Sequence, residues 1–109
     1  MKYINKDEFN KEVEGDKVLV DFFATWCGPC KMLGLVLEKF DEEKVIPILK
    51  LDVDEEKEVA EKYKVFTIPT LIVFENGKEI KRKVGYQSLD ELRKWVNDCL
   101  LYTSDAADD

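Results

Sequence analysis

Histidine is absent from the 109 residues of this chain. Its absence excludes Cys–His catalysis, zinc sites that contain histidine, and any pH switch that works through an imidazole. Cysteine is scarce as well, with residues at positions 27, 30 and 99, so the second cysteine pair that a zinc ribbon needs is missing. Candidate redox or nucleophilic chemistry therefore centres on the closely spaced pair at positions 27 and 30.

Long apolar runs are also missing. Residues 1–7 hold no apolar stretch of signal-peptide length, and no segment is long enough to cross a bilayer. We therefore expect a cytoplasmic protein with no membrane partner. In a reducing compartment, a Cys-x-x-Cys pair is more typical of catalysis or metal binding than of a structural disulfide.

Positive charge is in the minority, because 24 acidic residues outnumber 17 Lys and Arg and give a formal net charge of −7. This balance does not favour binding to nucleic acid or to an anionic membrane. The length fits one domain, and we expect it to be a monomer. A hydrophobic content of 45% and a charged content of 38% are those of an ordinary globular protein.

The most informative stretch is residues 26–30, with the sequence WCGPC. Two sulfurs at this spacing meet when the second cysteine lies in a helical turn, and Pro29 favours that turn because its φ is preset. Cys27 would then lie at the helix N-terminus, where free N–H groups and the helix dipole stabilise the reactive thiolate. The strand-like run at 18–23 precedes it, and this order is typical of a redox motif.

Two other interpretations of the cysteine pair remain open at this point. A metal could be bridged between two chains by one such pair from each chain. The pair could instead form a purely structural disulfide, although so short a loop constrains the unfolded chain little.

Hydrophobic periodicity and capping residues predict the order β-α-β-α-β-α-β-β-α. The predicted strands are Tyr3-Ile4, 18–23, about 48–53, 71–74 and about 79–84. The first predicted helix is capped by Asn5, the second begins at Pro29, the third is capped by Asp52 or Asp54, and the fourth is capped by Ser88. Asn76-Gly77 predicts a type I′ hairpin. Helices between the early strands imply parallel crossovers. We therefore predict an α/β fold: a central mixed five-stranded sheet with helices on both faces and a C-terminal antiparallel hairpin.

Residues 20–31, with the sequence VDFFATWCGPCK, resemble the active-site segment of the thioredoxin family. Ile68-Pro69-Thr70 and Val84-Gly85 match two further motifs of that family, in the family's order. The resemblance implies a thioredoxin domain over residues 1–98 with the thioredoxin fold. It also implies a thiol–disulfide oxidoreductase that reduces protein disulfides, accepts electrons from a flavin-dependent thioredoxin reductase, and uses a reversible Cys27–Cys30 disulfide with no bound cofactor or metal.

Four residues are the expected catalytic group: Cys27, Cys30, Asp21 and Lys50. Cys27 would attack the substrate, and a buried Cys30 would resolve the mixed disulfide. Asp21 is the candidate base for Cys30, because desolvation in an apolar strand raises the pKa of a carboxyl group toward the useful range. The alternatives are a solvated Asp21 at an edge and a solvated Lys50 rather than one paired with Asp21.

A small, flat, apolar surface beside Cys27 is expected to bind substrate. It would consist of Trp26, Gly28, Pro29, Ile68, Pro69, Val84 and Gly85. Trp26 would partly shield an exposed Cys27, and the glycines would let a partner backbone approach closely. In the family, the proline that matches Pro69 follows a cis peptide bond and lies against the cysteine pair, so we expect the same here.

Two positions depart from the family pattern. Leu35, preceded by Gly34, stands where many members carry a proline that kinks the active-site helix, so the kink is in doubt. Phe23 replaces a tryptophan that is common in bacterial members, and we expect this change to matter mainly for spectroscopy.

Two other functions share this fold. One is a disulfide-forming oxidase, which typically has a histidine or another polar residue within its CxxC, unlike Gly28-Pro29 here. The other is a binding or chaperone module in which the thiols are incidental. An insulin-reduction assay separates a reductase from such a module.

Residues 99–109 resemble nothing in the thioredoxin family. Read back into codons, they fit one frame of a transposase adapter used for sequencing libraries, so we expect a non-native tail; a genuine acidic tail is the alternative. We expect no catalytic role for Cys99. Helix propensity is expected to carry the last helix on through Leu100 and Leu101, with disorder after Ser104.

Overall fold

The structure, a computed structural model, describes residues 1–102 and contains the predicted order of elements. The strands are β1 (Lys2–Tyr3), β2 (Val18–Phe23), β3 (Ile48–Asp52), β4 (Thr70–Glu75) and β5 (Lys78–Val84), and the helices are α1 (Lys6–Glu12), α2 (Gly28–Asp41), α3 (Lys57–Lys62) and α4 (Leu89–Leu101). The prediction of disorder after Ser104 lies outside the described residues.

The five strands form one mixed sheet in the order β1-β3-β2-β4-β5. β1 and β2 each pair in parallel with β3, whereas β4 is antiparallel to β2 and to β5. All six residues of β2 are buried, as the apolar run on both of its faces predicted. The predicted mixed sheet with a C-terminal hairpin is therefore confirmed.

Each face of the sheet carries its own core. On one face, α1 and α3 contribute Phe9 and Val59; on the other, α2 and α4 contribute Leu33 and Leu92. Side chains alternate between the faces along a strand, and Leu19 of β2 lies on the α2/α4 face. Asp21 and Phe23, two and four residues further on, therefore point to the same face, toward the active-site helix.

Local sequence signals account for most element boundaries. Asn5 and Ser88 each form the predicted capping box, and both Asn76 and Gly77 have the positive φ that the hairpin turn requires (53° and 79°). The predicted cap of α3 is wrong. The helix begins at Lys57 after Glu56, which makes no side-chain capping bond, because the Asp52 carboxylate instead accepts the N–H of Asp54 at 2.8 Å.

The two long helices, α2 and α4, each test an expectation from the sequence. α2 is one continuous helix through the exposed Leu35. α4 runs to Leu101, as expected, and it buries Cys99 completely in the core between α2 and α4. Lys17 Nζ also donates to the carbonyls of Leu100 and Tyr102, at 3.1 and 2.6 Å. The non-native origin of residues 99–109 stays a prediction, and 103–109 lie outside the described residues.

Candidate active site

The first turn of α2 holds both cysteines. Cys27 is the N-cap residue, in extended conformation, and its Sγ accepts the backbone N–H of Cys30 at 3.2 Å. Pro29 lies in the first turn, where its missing N–H leaves no helical bond unmade. Cys27 therefore lies at the positive end of the helix dipole, as its place in the motif predicted.

The two sulfurs form a disulfide across a Cα–Cα distance of 5.2 Å. The expectation of an exposed Cys27 is wrong for this disulfide form, because its exposed fraction is 5%, close to the 2% of Cys30. Phe23 and Ala24 pack around the pair, with Ile68 against the same cluster. The two sulfurs thus differ by their place in the helix, one at the cap and one inside the first turn, and hardly by burial.

Asp21 of β2 and Lys50 of β3 form a buried ion pair. Lys50 Nζ lies 2.7 Å from Asp21 Oδ2, and their side chains are 5% and 0% exposed. Parallel pairing of β2 with β3 places the two residues directly opposite each other. The expectation of a buried, paired Asp21 agrees with this geometry, and the solvated alternatives for both residues do not.

The electrostatics of this pair favour a protonatable carboxyl group. Burial raises the pKa of Asp21 above its ordinary value, although the charge and hydrogen bond of Lys50 act in the opposite direction. Asp21 Oδ1 has no hydrogen-bond partner within residues 1–102. A buried carboxylate with one oxygen that lacks a hydrogen bond gains more free energy from taking up a proton than a carboxylate in water does.

A cavity of about 350 Å³ reaches both Lys50 of the ion pair and Cys30. Both Cys30 and Lys50 line it, together with Gly34 and Leu35 of α2. A water molecule is small enough to occupy this space and to bridge polar groups across it. A proton can therefore move through this cavity between Cys30, Lys50 and solvent.

The expected substrate surface is present but uneven. Trp26, Gly28, Pro29 and Val84 are exposed, Ile68 and Gly85 are half-buried, and Pro69 is buried. The Ile68–Pro69 peptide bond is cis, as the resemblance implied. The carbonyl of Pro69 accepts the N–H of Gly85 at 2.8 Å, which joins the two later motifs beside the cysteine cluster.

Three contacts of the site were not predicted from the sequence. Trp26 Nε1 donates to Asp54 Oδ2 at 2.8 Å, which fixes the indole although 70% of Trp26 is exposed. Lys50 Nζ lies over the rings of Phe23 and Tyr3. The only signal for Asp54 was its place in the acidic run after β3, and nothing local indicated the two rings.

Within 1–102, no three or more Asp, Glu and Cys side chains lie together as a metal site would require. The helices of this part of the chain include none long and apolar enough to span a membrane.

Known proteins match both the sequence and the fold. The family model described as Thioredoxin matches residues 1–98. The thioredoxin of Chlamydia muridarum is 46% identical over 98 residues, covering 89% of this chain and 96% of that protein, and the thioredoxin of Staphylococcus aureus is 52% identical over 87 residues, covering 78% and 84%.

Two solved structures of thioredoxins are also similar to this chain. A thioredoxin from Malassezia sympodialis superposes with a TM-score of 0.82 at 35% identity, covering 89% of this chain and 90% of that one. A mutant thioredoxin from Halobacterium salinarum also has a TM-score of 0.82 and 35% identity, covering 94% and 92%.

These relatives share the fold, and the cysteine pair of this chain lies at disulfide distance at the start of a helix. The pair can therefore exchange two thiols for one disulfide, the chemistry of a thiol–disulfide oxidoreductase that reduces protein disulfides. The chain belongs to the thioredoxin family.

Proposed function

We propose that Cys27 is the attacking thiol and Cys30 the resolving thiol. The Cys27 thiolate attacks one sulfur of a substrate disulfide; that S–S bond breaks, and the departing sulfur takes up a proton. Cys30, as a thiolate, then attacks Cys27 Sγ and releases the second substrate sulfur as a thiol. The substrate gains two electrons and two protons, and the protein is left with the Cys27–Cys30 disulfide.

Asp21 is the proposed base for the second step. The Cys30 thiol has to lose a proton before it can attack, and Asp21 is a buried carboxyl group whose pKa is raised by desolvation. Lys50 holds this carboxylate at 2.7 Å and lines the same cavity as Cys30. The observation that carries the proposal is the combination of Cys27 at the helix cap with a buried acid whose partner, Lys50, lines the same cavity as Cys30.

Substrate binding is assigned to the uneven apolar surface around Cys27. Trp26, Gly28, Pro29 and Val84 would contact an extended peptide, and Gly85 would leave room for its backbone. Ile68 and Pro69 are the least exposed members and would act through their backbone groups rather than through side-chain area.

The electron donor in this proposal is a flavin-dependent thioredoxin reductase, acting in the cytoplasm. A dithiol that reduces others needs a compartment in which its own disulfide is re-reduced, and the cytosol supplies that condition. The thiols themselves carry the electrons, so the proposed cycle needs no bound cofactor. One chain contains every proposed catalytic residue, which supports action as a monomer.

The test uses three single substitutions in an insulin-reduction assay. We expect Cys27→Ser to fall to the background rate, and Cys30→Ser to accumulate a mixed disulfide with substrate that is visible by mass spectrometry. Cys99→Ala is the matched control, because it removes a buried thiol far from the motif and is expected to keep the activity.

Two results would contradict the assignment. Normal substrate release by Cys30→Ser would mean that Cys30 does not resolve, and no rate above background for the unaltered protein would mean a binding module. Equilibration with glutathione tests the direction of electron flow. We expect a potential near the roughly −270 mV known for thioredoxin, and a value near −120 mV would indicate a disulfide-forming oxidase.

A further inference from the structure

The Lys50 ammonium is close to one carboxylate and two aromatic rings. Its Nζ is 2.7 Å from Asp21 Oδ2. The same atom is 4.6 Å from the centroid of the Phe23 ring and 6.0 Å from that of Tyr3. The two rings contact each other edge-to-face, with centroids 5.7 Å apart and planes at 73°. We call Phe23 and Tyr3 the aromatic cap.

We propose that Phe23 and Tyr3 are positioning residues, whose ring faces hold the Lys50 ammonium against the Asp21 carboxylate. This inference rests on the proposed role of Asp21 as the base for Cys30. It assigns a task to Phe23 beyond the filling of volume, which is all that the sequence led us to expect at this position.

The sheet places these four residues together. Tyr3 of β1 is opposite Lys50 of β3, and Lys50 is opposite Asp21 of β2. Phe23 follows Asp21 by two residues on the same strand and therefore lies on the same face. The negative face of an aromatic ring attracts a cation, more strongly when water is excluded, and Phe23 is only 8% exposed.

Other charged residues surround Lys50. It lines two cavities, of about 350 and 420 Å³, and both also include the aromatic cap. The other charged residues that line these cavities are Met1 with its amino terminus, Glu8 of α1, Lys31 and Glu38 of α2, Asp52 of β3, and Glu55 and Glu56 before α3. β4, the remaining neighbour of Asp21 in the sheet, places the apolar Leu71 opposite it.

Asp52 is the nearest competitor along the chain. It lies two residues after Lys50 on β3, hence on the same face, and pairs in register with Phe23. Among residues 1–102, however, Lys50 forms its ion pair with Asp21 and with no other acid. The Phe23 ring, 4.6 Å from Lys50 Nζ on the strand opposite Asp52, is the contact that we infer keeps the flexible ammonium on Asp21.

The test measures the titration of the Asp21 carboxyl group directly, by its ¹³C chemical shift as a function of pH in the disulfide form. Phe23→Leu removes the ring face and keeps an apolar side chain. We expect the titration midpoint to rise by about half a pH unit, because a less firmly held ammonium stabilises the carboxylate less. Phe23→Trp keeps an aromatic ring at this position and is expected to keep the midpoint of the unaltered protein.

Two controls separate positioning from a general loss of packing. Phe74→Leu removes a buried ring from the opposite face of the sheet and is expected to leave the midpoint unchanged. In a Lys50→Met background, Phe23→Leu is expected to have no effect, because the cation through which the ring acts is gone. Tyr3→Leu, at an exposed edge position, serves if Phe23→Leu does not fold, with a smaller rise in the midpoint expected from its longer distance.

Several outcomes overturn the inference. An unchanged midpoint in Phe23→Leu would do so, and so would an equal shift in the Lys50→Met background or in Phe74→Leu. The measurement needs no turnover, so it is independent of the proposed mechanism. A raised midpoint without a change in the rate of mixed-disulfide resolution would leave the cap in place and contradict the role of Asp21 as base.

Discussion

The two faces of this sheet are built from the same strands and differ sharply in what they bury. On the α1/α3 face, Phe9, Tyr63 and Phe74 contact one another edge-to-face, with ring centroids 5.0–5.6 Å apart. The α2/α4 face instead holds the Asp21–Lys50 ion pair, and the Cys27–Cys30 disulfide lies at the start of α2. We call these the apolar face and the redox face.

The difference shows where stability and chemistry are separated in a small domain. Aromatic packing on the apolar face adds to the free energy of unfolding without placing a reactive group. The redox face holds a desolvated carboxylate, which costs free energy in the folded state. Because alternate residues of one strand serve the two faces, substitutions only one position apart in β2 or β4 should have opposite consequences.

Breaking the apolar face should have the largest effect on stability. We expect Phe74→Ala to lower the free energy of unfolding by about 3–5 kcal/mol, because it leaves a cavity between Phe9 and Tyr63. Urea unfolding measures this loss. Insulin reduction per folded molecule is expected to stay the same, and a loss of activity in excess of the unfolded fraction would show that the two faces are coupled.

Breaking the redox face should do the reverse. We expect Asp21→Asn to slow resolution of the mixed disulfide roughly 10²-fold near neutral pH, since the base for Cys30 is lost. It should also raise the free energy of unfolding, because burial disfavours the carboxylate more than Lys50 favours it. Lys50, left without its partner, lines two cavities where water can solvate it.

The free energy of unfolding gained by Asp21→Asn should increase with pH. A carboxyl group whose pKa is raised in the folded state binds its proton more tightly there, so it destabilises the fold progressively as pH rises from the unfolded pKa through the folded one. The stability difference between Asp21→Asn and the unaltered protein should therefore be largest at alkaline pH and shrink on acidification. Asp16→Asn, at an exposed bend, is the control and should show no such trend. A constant difference at all pH values would contradict the burial effect.

Most of the fold and the centre of the site could be predicted from the sequence, because their signals are local. The apolar run at 18–23 predicted β2 at its observed bounds. The hairpin turn was predicted at Asn76-Gly77 because these two residue types tolerate the positive φ that the turn requires. Asp21 stood out as one carboxylate within an apolar strand. Each of these features depends on neighbours in sequence, so tertiary structure did not override it.

The features that were missed depend on residues distant in sequence. Asp52 was a reasonable helix cap, but its carboxylate closes the turn before α3 instead. The contacts of Trp26 with Asp54 and of Phe23 with Lys50 link residues 28 and 27 positions apart, and neither residue type demands such a partner. Part of the packing around Cys27 likewise comes from Val53 and Ile68, which are distant along the chain.

Removal of the C-terminal residues tests the end of α4, where Cys99 is the last buried residue of the redox face. Cys99 is fully buried there, and burial raises the pKa of its thiol to about 11, which keeps it protonated and inert. We expect truncation after Asp98 to lower the free energy of unfolding by about 1–3 kcal/mol while the activity of folded molecules stays unchanged. Truncation after Tyr102 keeps these contacts and is the matched control. Equal stability of both would mean that α4 needs nothing beyond Asp98.

The smallest expected effect is a gain of stability at the contact between α2 and the ion pair. Gly34 lies inside α2, and a Cβ added there would meet Lys50 Nζ at 3.6 Å, an ordinary van der Waals distance. We expect Gly34→Ala to raise the free energy of unfolding by about 0.5–1 kcal/mol through the lower backbone entropy of the unfolded chain. Urea unfolding measures it, and the difference between Lys39→Ala and Lys39→Gly, at an exposed position of the same helix, gives the backbone contribution without the neighbour. If Gly34→Ala instead destabilises the protein, the ammonium of Lys50 cannot move away from the added Cβ. The absence of a side chain at position 34 would then be required by the packing of the redox face.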